Sequence, residues 1–127
     1  MPKNLDGVDA APECHRVMYE EGGIRVLEVV VAAGQREPIH THEYGAILIA
    51  VERARLLYEV FDWVDGAWVT VSSEERVTTP YAARWIESEP PHALTSLDDV
   101  TFKAIRVEFL EPGLGALVSR MRLDLDG

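Results

Sequence analysis

The 127-residue sequence predicts one all-β domain, a sandwich or barrel of short strands. Three observations lead there. The length suits a single domain, and 47% hydrophobic residues can bury a core. From Ile24 onward, short runs rich in β-branched and aromatic residues alternate with turn chemistry. The stretch WVDGAW sets Asp65-Gly66, a pair favoured in type I′ turns, between β-formers, which marks a hairpin.

In chain order, residues 1–13 are polar, proline-containing and aperiodic, and read as a flexible N-terminal arm before a single domain of residues 14–127. Strand signals then cover Ile24 to Ala32, Ile39 to Tyr44, Ala46 to Val51 and Ala54 to Phe61. They resume at Trp68 to Val71, Arg84 to Glu87 and Thr101 to Leu110. A two-residue loop at Asp65-Gly66 sets Val64 opposite Ala67 and Trp63 opposite Trp68, and ordinary cross-strand packing of the tryptophans is favoured over a ligand wall or subunit contact. After Pro112-Gly113, residues 114–122 suit a short terminal helix.

Charge narrows the partners. The formal net charge is -10, and Lys3 and Lys103 are the only lysines, a balance that disfavours nucleic acid and repels an anionic bilayer. No apolar run approaches the roughly 20 residues of a spanning helix. The opening segment MPKNLDGVDAAPE lacks the apolar stretch of a signal peptide, so a soluble, cytoplasmic protein is expected. The single cysteine, Cys14, has no partner for an internal disulfide and reads as a small apolar residue. Phosphate-cradling loops, nucleophile elbows and dinucleotide fingerprints are absent from the sequence.

Chemistry concentrates in two clusters. In GQREPIHTHEY, from Gly34 to Tyr44, Pro38 argues against a helix interior, so His40 and His42 fall in a strand. Residues two apart in a strand share a face, and both imidazoles can then meet one ion. In RWIESEPPHALTS, His92 follows Pro90-Pro91 at the start of another strand and supplies a third donor.

Together these clusters resemble the cupin superfamily. Its first motif, a glycine, five residues and His-x-His, is matched by Gly34, His40 and His42; its second, a proline-rich turn leading into a histidine, is matched by Pro90-Pro91-His92. The resemblance spans about Ile24 to Glu111. It implies a double-stranded β-helix, or jelly roll, whose interior holds one divalent metal on His40, His42 and His92. The motif glutamate is replaced by Ala46 or Ile47, and the later glycine is missing near Glu52 to Ala54. In the second motif the upstream glycine is lost in Glu87-Ser88-Glu89, and Ser96 stands for the asparagine. A neutral three-histidine set still suits zinc, iron, nickel, manganese or copper and leaves positions open.

Around the ion, Tyr44 continues the parity of His40 and His42 and is expected to face the interior, with Tyr58 and Trp85 as further pocket-lining candidates. Glu28, Glu43 and Glu108 are the carboxylates considered as substitute ligands, and each reads better as a solvated surface group. His15 adjoins Cys14, and neighbours in an extended chain face opposite ways, so both stay outside the site. Three functions follow: a metal-dependent enzyme, dioxygenase- or isomerase-like, acting on a small polar metabolite; a non-catalytic module binding a small molecule; or a structural or interaction protein whose histidines are merely buried and hydrogen-bonded. A homodimer is expected, since small cupins commonly pair and edge strands need covering.

Overall fold

Two antiparallel sheets face each other in the computed structural model, which describes residues 1–126, with side chains through residue 121. The elements run α1 (Gly7–Ala10), β1 (His15–Glu21), β2 (Ile24–Val31), β3 (His40–His42), β4 (Ala46–Ala50) and β5 (Arg55–Val64), then β6 (Ala67–Val77), β7 (Ala83–Ile86), β8 (Glu89–Ser96), β9 (Phe102–Phe109) and α2 (Pro112–Asp126). One sheet has the order β1-β2-β9-β4-β7 and the other β3-β8-β5-β6. This is the jelly-roll double-stranded β-helix.

The period-2 rule of a strand explains the interior. On β9, Phe102, Ala104, Arg106 and Glu108 all turn inward, and β2 pairs with it so that Val31 meets Phe102 and Val29 meets Ala104. The inward face of β9 therefore changes from apolar to charged along its length. At the apolar end Val29, Val31, Leu56, Phe102 and their neighbours form the core; the polar end holds the site.

Asp65 and Gly66 both have positive φ, as a type I′ turn requires, and Trp63 pairs with Trp68. Their rings meet edge to face with centroids 5.0 Å apart. The terminal helix is longer than the expected 114–122, starting at Pro112, whose fixed φ suits a first helical position.

Two parts differ from expectation. Strand β1 carries no hydrophobic alternation because it is an edge strand with only His15 buried; it is joined to β2 by Gly22-Gly23, both at positive φ. Within residues 1–13, expected as a loose arm, Leu5 to Ala11 fold onto the barrel, while residues 1–4 are exposed. Asp6 caps α1, bridges to Thr41 of β3 and pairs with Arg25 at 3.0 Å, while Ala11 is buried. Helix α1 thus contacts both β1 and β3, the edges of the two sheets on one side, and straps that seam.

Candidate metal centre

Short prolyl segments place two of the histidines. Strands β3 and β8 pair antiparallel with His40 opposite His92. Each follows a proline by two residues and sets its Nδ1 against that proline's carbonyl, at 2.8 Å for His40 and Pro38 and 2.7 Å for His92 and Pro90. His15 does the same with Ala11, at 3.0 Å. A carbonyl oxygen only accepts, so in all three rings Nδ1 carries the hydrogen and Nε2 keeps its lone pair. Such backbone latching holds an imidazole in ligand form.

His42 completes the cluster, its Nε2 lying 3.2 Å from that of His40 and its Nδ1 3.5 Å from Glu108 Oε2. Its two nitrogens make conflicting demands. With hydrogen on Nε2, His42 donates to His40 but turns an Nδ1 lone pair toward a carboxylate. With hydrogen on Nδ1, two Nε2 lone pairs confront each other. A cation between the Nε2 atoms removes the conflict, and donors around one ion stand roughly 3–4 Å apart.

The three histidines named by the motifs are all buried in one place, with ring centroids 4.8 Å apart for His40 and His42, 4.4 Å for His40 and His92, and 5.3 Å for His42 and His92. Each pair is completed by a different third donor, with ligand atoms within 4.8 Å of one another: His15 joins His40 and His42, Glu37 joins His40 and His92, and Glu89 joins His42 and His92. The two carboxyls come from one pattern used twice, Glu37-Pro38-Ile39-His40 and Glu89-Pro90-Pro91-His92. Glu37 lies 3.7 Å from His40 Nε2 and Glu89 lies 3.4 Å from His92 Nε2.

Burial shapes the electrostatics. It lowers the pKa of all four histidines, that of His40 to about 2 with its neighbouring imidazoles adding to the effect, so the rings are neutral. Burial pushes Glu37 up to about 8; its Oε1 accepts from Leu94 N at 2.9 Å and its Oε2 has no partner. Burial also works against Glu89, but the Arg106 guanidinium beside it helps to hold its carboxyl below the usual value. Tyr58 donates to Glu89 at 2.9 Å, and its own hydroxyl is raised by burial and by that carboxylate.

A charged row backs the imidazoles: Asp6, Arg25, Glu108, Arg106 and Glu89, with successive members 3.0, 2.7, 3.2 and 3.0 Å apart. The chamber in front of it has a volume of about 110 Å³ and is lined by the four histidines, Glu37, Glu89, Arg106 and Tyr58, with apolar walls from Leu48, Leu56, Leu94 and Phe102.

Several sequence-based expectations need correction. Tyr44 does not face the chamber: β3 ends at His42, so the alternation stops before it, and the ring sits beside a second cavity with Arg25 5.7 Å from its centroid. Trp85 lines that same second cavity, because the alternation of β7 sends Arg84 and Ile86 to the chamber and Trp85 against Gly45 and Phe109. Glu108, read as solvated, is fully buried beside His42. Glu43 is exposed, and Glu28 pairs with Arg16 at the surface. His15, set aside with Cys14, belongs to the cluster; the opposed facing of neighbours is what carries it inward. The missed signals were the Gly22-Gly23 turn, which reveals β1, and the repeated Glu-Pro-x-His.

No protein-family model matches the sequence, and no curated protein matches it. Solved structures share its fold. A cupin domain from Bordetella pertussis Tohama I is 16% identical, with a TM-score of 0.61 over 74% of this chain and 88% of that one. An RmlC-like cupin family protein with a double-stranded β-helix fold, from Methanocaldococcus jannaschii, is 9% identical, with a TM-score of 0.55 over 79% and 82%. The DMSP lyase DddQ from Ruegeria pomeroyi DSS-3 is 18% identical, with a TM-score of 0.51 over 86% of this chain and 50% of that one. The likeness is one of fold, and the fold is the cupin double-stranded β-helix.

Proposed function

We propose that this chain, with its cupin fold, holds one divalent metal ion on His40, His42 and His92 and uses it on a small polar metabolite in the chamber. The observation that carries the reading is the set of carbonyl latches, which fix Nε2 as the lone-pair atom on His15, His40 and His92, together with the conflict at His42 Nε2. Glu37 supplies the carboxylate missing at Ala46 and Ile47, since its Oε2 is buried without a partner. Glu89 is a weaker candidate because Arg106 and Tyr58 already engage it. A bound zinc would supply Lewis acidity, and iron, manganese, nickel or copper would add redox chemistry.

The chain's own residues have separable tasks. The latches keep Nε2 available, the charged row fixes Glu89 and Arg106, and the apolar walls give the chamber room for the non-polar part of a ligand. One structural neighbour, of which this chain covers 50%, is a lyase; that likeness is of fold, and function itself depends on the site.

Metal analysis of untagged protein tests the reading, with about one equivalent expected in the wild type and a loss in His92→Ala. Failure to take up zinc, iron, nickel, manganese or copper would overturn it. Turnover of small carboxylates, thiols or phenols by the loaded protein would establish an enzyme; binding without turnover would make the chain a binding module.

A further inference from the structure

We propose that the metabolite is a small carboxylate and that Arg106 recognises it. Arg106 stands on β9 and is 3% exposed. Its Nε donates to Glu108 Oε2 at 3.2 Å and its Nη1 to Glu89 Oε1 at 3.0 Å, which fixes the plane of the guanidinium. The third nitrogen, Nη2, is buried without a partner, and Arg106 lines the chamber. A buried cationic donor left unpaired is costly, and a carboxylate is the acceptor that best matches it.

Size and access agree with that chemistry. An engineered cavity of about 150 Å³ takes benzene, so a chamber of about 110 Å³ suits roughly five non-hydrogen atoms, the size of propionate. The apolar walls suit its short chain. Arg76 on β6 and Arg84 on β7 are exposed yet also line the chamber, and these strands are the sheet edges opposite the seam that α1 straps. Arg84 has no ion-pair partner among the described residues. The Arg84 guanidinium at that edge draws an anion in despite the chain's net charge of -10, while Arg76 is paired with Glu74 and stacks on Tyr58.

The inference rests on the metal reading, because the ion's charge offsets the carboxylates of Glu89 and Glu108 that would otherwise oppose an anion. The test therefore measures zinc uptake first and then titrates the zinc-loaded protein calorimetrically with propionate, propionamide and benzoate. Propionate should bind and the other two should bind at least tenfold more weakly. Arg106→Lys keeps a cation for Glu89 and Glu108 but lacks Nη2; it should take up zinc as before and lose tenfold or more in propionate affinity. Equal propionate affinity in a zinc-loaded Arg106→Lys protein overturns the carboxylate assignment alone. Absent zinc uptake in the wild type overturns the metal reading and this inference with it. Should Arg106→Lys not fold, nitrogen-15 spectra of arginine-labelled wild type decide: the buried Arg106 guanidinium signal must shift with propionate and not with propionamide, and an unshifted signal refutes the role of Arg106.

Discussion

Replacing Gly7 by alanine probes how tightly α1 lies on the imidazoles. An added Cβ would stand 2.8 Å from His42 Cε1 and 3.0 Å from His15 Cδ2, against about 3.4–4 Å for ordinary contact. Both rings are buried, and His15 is latched to Ala11, so neither can retreat without losing packing or a hydrogen bond. Overpacking of this kind costs about 1–3 kcal/mol, and the helix preference of alanine over glycine returns at most about 1 kcal/mol in so short a helix. A net loss of about 1–2 kcal/mol follows. In urea, with an m-value of about 1–3 kcal/mol/M for a chain of this size, the midpoint should fall by roughly 1 M. Zinc affinity should fall as well, because both displaced rings belong to the donor cluster. Gly113→Ala is the control, since a Cβ there meets nothing within 4 Å. Equal midpoints for the two variants, or a Gly7→Ala protein as stable as the wild type, would refute the account of α1 as a close-fitting strap.

Three more outcomes are expected. The metal-free protein should lose stability as pH falls below about 6.5: the unfolded chain then binds protons that the four folded histidines, with lowered pKa values, refuse, at up to about 1.4 kcal/mol per pH unit for each. Glu37, raised to about 8, pulls the other way because its folded form keeps a proton that the unfolded chain releases above about 4.5, yet one carboxyl does not outweigh four rings; a urea midpoint at pH 5 equal to that at pH 7 would contradict this. Tyr58→Phe removes the hydroxyl bonded to Glu89 and should cost about 1–2 kcal/mol in denaturant melts, with no loss implying that water replaces the bond. Light scattering should give a mass near twice the chain's 14.2 kDa if the exposed edges of β1 and β6 pair between copies, and a monomer would reject the homodimer.

Much of the fold was legible because strands announce themselves locally. Alternation on β2 and β9, the Asp65-Gly66 turn and the prolines before His40 and His92 each constrain a few residues, and those constraints agree. The motif histidines were legible for the same reason. Long-range pairing was the hidden part. Glu108 and Arg106 look like ordinary surface charges on an alternating strand, and only the register with β2 and the packing of β8 in the facing sheet show that their partners Arg25 and Glu89 lie inside too. Edge strand β1 escaped because a strand with one buried residue carries no apolar period. Tyr44 misled because parity was extended past the point where β3 stops.

The buried row from Asp6 to Glu89 begins and ends on an anion, so its five members hold three negative charges against two positive ones. An odd count cannot cancel, and the row keeps one surplus negative charge whichever neighbours are grouped together. Neutralising Asp6, more than eighty residues away in sequence from Glu89, leaves two of each sign. A substitution in the first helical cap can therefore reset how strongly the far end of the row favours a cation, with no atom of the donor cluster replaced.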